Sequence, residues 1–204
     1  MDPDALEFDA VILAGGRSSR LGGTPKQRLM YEGASLLQRS LGASRGAAAV
    51  VVVGPDPGVL PRGVLNCRED PPFGGPAAAV AAGLAVLARA RAARPLTLIL
   101  ACDMPNVATA VRALNEARQL STGPDGVMAV SADGRRQPLV GFYSTAALQR
   151  SVQDLASRGA LVNGSVTALL ASLDLQLVTV PAGSTDDVDT WDDAAALGVA
   201  SQEP

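Results

Sequence analysis

The first strand-like run in the chain, AVIL at residues 10–13, carries no charge, is half β-branched, and leads straight into Ala14, Gly15 and Gly16. Consecutive apolar residues fit a strand covered on both faces, and that points to the interior of a mostly parallel sheet. AVVVVG at 49–54 and LTLILA at 96–101 repeat the pattern. Helical stretches lie between these runs, at 35–45 and at 76–94, the second rich in Ala and Leu with arginines near its end. Residues 106–120 predict another helix, with Asn106 as its cap. VMAV (127–130) and PLVGFY (138–143) predict two more strands, joined by the polar loop ADGRRQ (132–137). Helical stretches near 144–158 and 165–173, a last strand LQLVTV (175–180) and a final helix at 191–197 complete the chain. Strands alternating with helices predict the α/β class, with a parallel, doubly wound sheet flanked by helices on both faces. No repeat, low-complexity linker or composition break divides the chain. One domain over residues 1–204 is expected, with its core at about 8–198 and short tails.

Composition narrows the function. Hydrophobic residues are 48% and charged ones 18%, which excludes a disordered polyelectrolyte, and a net charge of −3 excludes a basic coat for nucleic acid. Two cysteines, Cys67 and Cys102, provide no disulfide framework and fit a reducing cytoplasm. Histidine is absent, so no His base, His-bearing triad or His metal ligand is available. The first nine residues, MDPDALEFD, are acidic where a secretory leader is cationic. The uncharged stretch 71–88 opens on PPFGGP and continues mainly with alanine, so it reads as a buried helix of a protein without a membrane span.

Two strand ends carry the chemistry, because ligands of such sheets sit beyond the carboxyl ends of the strands. LAGGRSSRLGGTPK (13–26) follows the first strand. Gly15 and Gly16 let the backbone approach a ligand, Ser18 and Ser19 leave amides free for phosphate, and Arg17, Arg20 and Lys26 supply positive charge. The spacing fits neither the G-x-G-x-x-G dinucleotide fingerprint nor the Walker loop, since Pro25 precedes Lys26 and Gln27 follows it. The string also reads as a flexible loop with solvated arginines. ACDMP (101–105) places Asp103 where a carboxylate can hold Mg²⁺ against phosphate oxygens, although the same residue suits an Asx turn before Pro105. In DDVDTWDD (186–193) most carboxylates cap the last helix, and one of Asp187 and Asp189 is a candidate second metal ligand.

These motifs together resemble the Rossmann-like nucleotidyltransferases, and among them the molybdenum cofactor guanylyltransferases. LAGGRSSRLGGTPK is similar to the family's signature, Asp70 with FGGP (73–76) to its acidic residue and Gly-Pro segment, ACDMP to its magnesium aspartate motif, QPLVGFY (137–143) to its central strand, and DVDT (187–190) to its late metal-side motif. The matches follow in family order across residues 10 to 195. The resemblance implies that Leu13, Ala14, Gly15 and Gly16 line the base and phosphates of GTP. It implies that Lys26 neutralises the triphosphate with Arg20 nearby, that Asp70 lies near the nucleoside, and that Asp103 binds Mg²⁺ with Asp189. Its Ala-Gly-Gly form and the Cys-Asp-Met-Pro wording look like the guanine-using branch. The implied reaction moves GMP from GTP to the terminal phosphate of molybdopterin, in the cytoplasm. Transient contacts with other proteins of the molybdenum cofactor pathway or with acceptor molybdoenzymes are also implied.

The sequence departs from the family's pattern at several positions. Pro25 stands where an acidic residue is frequent, Ala79 at a usual glycine, Asn106 at a common aromatic, Trp191 at a frequent proline, and aspartates at 187 and 189 where asparagines are frequent. None of these removes a phosphate or metal group. The alternatives are cytidylyl transfer, formation of a nucleotide-sugar, and a nucleotide-binding module without catalysis. Arg135 and Arg136 read first as members of a solvated hairpin loop, and otherwise as cations for a second phosphorylated ligand.

Overall fold

The computed structural model describes residues 8–16, 18–55, 58–91, 93–120 and 124–201. Strand β1 (Phe8–Leu13) is buried along its whole length. Beyond the glycine-rich loop come a small hairpin, β2 (Met30–Tyr31) with β3 (Ala34–Ser35), and helix α1 (Leu36–Ala43). The Ser35 side chain accepts the Gln38 backbone N–H while the Gln38 side chain accepts that of Ser35, a reciprocal cap that fixes the start of α1. The chain continues through β4 (Val50–Val53), β5 (Val64–Cys67), α2 (Pro76–Ala90), β6 (Leu96–Ala101), α3 (Val107–Gln119), β7 (Gly126–Val130) and β8 (Arg136–Ser144). Helices α4 (Thr145–Ser157) and α5 (Val166–Leu170), strand β9 (Gln176–Thr179) and helix α6 (Trp191–Leu197) follow.

Seven strands form one sheet in the order β5-β4-β1-β6-β8-β7-β9. Only β8 runs against its neighbours, pairing antiparallel with β6 and β7, while the other ladders are parallel. The α/β class and the mostly parallel sheet expected from the sequence are therefore the observed architecture. Alternation along β1 sends Ala10 and Ile12 into one apolar layer with α1 and α3, and Val11 and Leu13 into the other with α2, α4 and α5. Register then places the site. Leu13 lies level with Val53 of β4 and Ala101 of β6, so the segments after all three strands emerge at one edge. The Cys102 N–H donates to the Leu13 carbonyl at 3.0 Å, which ties the loop bearing Asp103 to the start of the glycine loop.

Some boundaries differ from expectation. The helix expected to reach residue 94 ends at Ala90; Arg91 turns extended, and the Arg94 N–H donates to the Asp9 carboxylate at 3.3 Å. Pro95 follows, and the residue before a proline disfavours helical backbone. Strand β5 was not foreseen, because VLNC is short and carries a polar Asn66 at the sheet's edge. Strand β8 begins at Arg136 and so shortens the polar loop before it. Asn106 occupies the cap position of α3, but its side chain makes no capping hydrogen bond. Among the described residues no helix is long and apolar enough to cross a membrane.

Helix α2 approaches the sheet through Gly83, where an added Cβ would lie 2.7 Å from Val11 Cγ1 and 3.1 Å from Val53 Cγ2. Both valines are fully buried and cannot retreat. Gly83→Ala should therefore destabilise the protein by about 1–2 kcal/mol in urea unfolding, even though alanine gains roughly 1 kcal/mol in intrinsic helix propensity. A stabilised variant would contradict this packing.

Candidate active site

A cleft of about 290 Å³ opens at the strand ends. Leu13, Gly15 and Gly16 form one side, Ala101, Cys102 and Asp103 another, and Gly75, Pro76 and Ala79 at the start of α2 a third. Gly16 has φ +140°, a conformation that side chains rarely adopt, so this turn of the loop is built for glycine. Ala14 is buried beneath the loop and donates its N–H to the Val53 carbonyl at 2.8 Å.

Lys26 begins a short 3-10 turn, Lys26–Arg28, and its side chain enters the same cleft. Its Nζ donates to Asp103 Oδ2 at 3.0 Å and to Asp189 Oδ1. Burial alone would lower the pKa of this ammonium, but Asp103 and Asp189 outweigh it and hold the pKa above its ordinary value. Lys26 is thus a cation throughout the neutral range. The Arg20 guanidinium reaches Asp189 at 4.0 Å from the solvent side. Arg17 lies outside the described residues.

Asp187 completes an acidic triplet. One carboxylate oxygen each from Asp103, Asp187 and Asp189 lie within 4.8 Å of one another. Burial, followed by the charges of Asp103 and Asp189, raises the pKa of Asp187. The two halves of the triplet are joined by the Val188 N–H, which donates to the Asp103 carbonyl at 3.0 Å. The run does cap the last helix as well: Thr190 and Asp193 exchange hydrogen bonds at the start of α6.

The triplet fits a divalent ion. Asp103 Oδ2 is taken by Lys26, whereas Oδ1 is shielded from water and has no hydrogen-bond partner among the described residues. A buried carboxylate oxygen left in that state is costly, and a cation relieves it. Three carboxylates against one half-buried ammonium leave excess negative charge, and hard oxygen donors suit Mg²⁺ or Mn²⁺. Sequence reasoning named Asp103 with one of the two later aspartates; the structure brings all three together.

The acidic residue after β5 is placed differently. Asp70 is exposed and lies outside the cleft, while Glu69 is buried and lines it. Glu69 accepts the Phe73 N–H at 2.9 Å through Oε1, and its Oε2 has no partner among the described residues. The extended chain explains the exchange: inward Cys67 and Glu69 alternate with exposed Asn66, Arg68 and Asp70. That period-two pattern was the available signal. Arg136 lines a separate hollow with Thr167, Leu170 and Asp174, to which none of the acidic triplet contributes, and Arg135 is exposed. Cys102 lines the cleft, but burial and then the neighbouring Asp103 push its thiol far up, so it stays protonated and is no nucleophile.

Holding a polyphosphate beside a cation is the work such a cleft suits, and the fold and site together define a nucleotidyltransferase. The chain belongs to the MobA-like NTP transferase family, whose domain model matches residues 10–175. A protein of Opitutus terrae named "probable molybdenum cofactor guanylyltransferase" is 29% identical over 194 residues, 94% of this chain and 93% of that one. The crystal structure of 2-C-methyl-D-erythritol 4-phosphate cytidylyltransferase from Thermus thermophilus is 25% identical, with a TM-score of 0.64 over 94% of this chain and 98% of that one. Rv0371c from Mycobacterium tuberculosis is 22% identical, with a TM-score of 0.66 over 94% and 96%, and has also been solved with manganese.

The pKa of Asp187 sets a test. A carboxyl whose folded pKa is raised opposes folding once ionised, and that penalty disappears as pH falls through the carboxylate range. In EDTA, Asp187→Asn should raise the melting temperature by about 1–3 °C at pH 7, and the gain should vanish near pH 4. A variant that melts lower at pH 7 would show that the carboxylates are not crowded.

Proposed function

We propose that this chain transfers GMP from GTP to the terminal phosphate of molybdopterin, releasing pyrophosphate and forming the guanine dinucleotide. The observation that carries the reading is Asp103 just beyond β6, one oxygen on Lys26 and the other without a partner among the described residues, lining the same cleft as the glycine loop. The name of the Opitutus terrae relative, which covers nearly the whole chain, supports the guanylyl and molybdopterin assignments.

In the reaction, an oxygen of the acceptor phosphate bonds to the α-phosphorus of GTP, and the bond from that phosphorus to the bridging β-oxygen breaks. A phosphate nucleophile is already ionised near neutral pH, so no general base is needed, in keeping with a sequence without histidine. The obstacle is charge. Two unit charges about 4 Å apart repel by roughly 4 kcal/mol at an effective dielectric near 20. Gly15 and Gly16 leave room for the triphosphate against the backbone, and Lys26 with Arg20 offsets its charge. Glu69, which lines the cleft beside Gly75 and Pro76, would face the nucleotide in place of the exposed Asp70. Asp103, with Asp187 and Asp189, would hold Mg²⁺, which when bound supplies further neutralisation of phosphate oxygens. Positioning and electrostatics then account for most of the rate, as in other phosphoryl transfers.

The test is mass spectrometry of products from molybdopterin, Mg²⁺ and either GTP or CTP. The guanine dinucleotide should form from GTP alone. Product from CTP alone would replace guanylyl by cytidylyl transfer, and GTP binding without pyrophosphate release would indicate a non-catalytic module. Asp103→Ala should lower kcat by at least about 10²–10³-fold with the melting temperature nearly unchanged; full activity would exclude Asp103 from the reaction.

A further inference from the structure

The carboxylates of the site reach it from distant parts of the chain, and the segment carrying two of them lies beyond residues 10–175 of the family match. Between Asp187 and Asp189 stands Val188, which is fully buried. It belongs to neither of the two large apolar layers. With Leu21, Leu29, Leu36, Ala194 and Val199 it forms a small cluster of its own beside the glycine loop. Leu21 and Leu29 bracket Lys26 along the chain, and the Val188 N–H donates to the Asp103 carbonyl at 3.0 Å. One residue thereby connects the loop that supplies the cation, the strand end that supplies Asp103, and the segment that supplies Asp187 and Asp189.

We propose that Val188 is a positioning residue, an apolar anchor that sets the distance between Asp187 and Asp189 on one hand and Asp103 and Lys26 on the other, and so sets the affinity of the site for its divalent ion. The proposal rests on the metal-binding part of the functional reading and is independent of which nucleotide is used. Its necessity follows from charge. The three carboxylates repel one another, and the 186–190 segment has no regular secondary structure to hold it against that repulsion. Burying Val188 holds the segment down while its two neighbours present their carboxylates. The far end of helix α6 is fastened to the same cluster: the Ala200 N–H donates to the Met30 carbonyl at 2.9 Å and the Met30 N–H to the Ala200 carbonyl at 2.8 Å. Helix α6 is thus tied down at both ends, and the segment before it cannot drift without disturbing the packing around Leu21 and Leu29.

The experiment is a titration of the full-length protein with Mn²⁺ alone, following the free ion by electron paramagnetic resonance, so that the readout does not depend on turnover. Val188→Ala should weaken Mn²⁺ binding about tenfold, as losses of ligand-orienting groups do. Val188→Ile, which keeps an apolar side chain in the cluster with one methylene more than the native valine, should bind Mn²⁺ more tightly than Val188→Ala. Val111→Ala removes the same atoms from a buried position in α3, outside this cluster, and should leave Mn²⁺ binding within about twofold of the wild type whatever its melting temperature. If Val188→Ala does not fold, Val188→Thr, which keeps the shape but puts a hydroxyl in the cluster, decides by the same criterion. Equal effects at positions 188 and 111, unaltered binding in the folded variant at 188, or no Mn²⁺ binding by the wild type would each overturn the proposal. A chain that binds Mn²⁺ as described but transfers CMP would refute the guanylyl reading and leave this inference standing.

Discussion

Repulsion among three carboxylates at the end of a buried strand is the constraint around which this protein is built. Asp103, Asp187 and Asp189 bring oxygens within 4.8 Å of one another at the mouth of an apolar cleft. Lys26 is the internal counter-charge, sharing its ammonium between Asp103 and Asp189. One ammonium, with the Arg20 guanidinium 4.0 Å from Asp189 on the solvent side, does not offset the crowding of three carboxylates, which adds to burial in raising the pKa of Asp187. The same unfavourable surplus of negative charge would make the site receptive to a divalent cation and, through it, to a polyphosphate.

The sheet holds this arrangement by register. Leu13 and Ala101 are paired partners, so the loops after β1 and β6 start from neighbouring points and must face each other. The Cys102 N–H bonded to the Leu13 carbonyl fixes that meeting. Arg39 adds a strut from α1: its Nε donates to the Pro105 carbonyl, its guanidinium lies over the Tyr31 ring at 4.5 Å, and it reaches Glu32 at 3.3 Å. The loop bearing Asp103 is therefore held from both flanks, and the apolar cluster around Val188 fastens the late segment to it.

Much of this was legible in the sequence, for identifiable reasons. Strands β1, β4 and β6 are central and covered on both faces, so their sequences are continuous apolar runs that no exposed element would carry. Lys26 and Asp103 were legible because a cation in a glycine loop and a carboxylate at a strand end are unusual in those positions. Strand β5 was not, since it sits at the sheet's edge and mixes Asn66 with apolar residues. Strand direction was also hidden: PLVGFY is as apolar as the parallel strands of the sheet, and only pairing reveals that β8 runs the other way. Glu69 was masked by its neighbour Asp70, because two adjacent acids differ only in which way the extended chain turns them. Val188 was masked by the acidic run around it, and its role depends on Leu21 and Leu29, more than 150 residues away in the chain.

The central claim is that the acidic triplet, with Lys26, is where a divalent ion meets the nucleotide's phosphates. Anomalous diffraction from crystals grown with Mn²⁺ and GTP tests it most directly. The account predicts an anomalous peak within bonding distance of Asp103 and of at least one of Asp187 and Asp189, with triphosphate oxygens on the ion and on the Lys26 amine. A peak elsewhere, or a nucleotide bound with its phosphates turned away from Asp103, would contradict it.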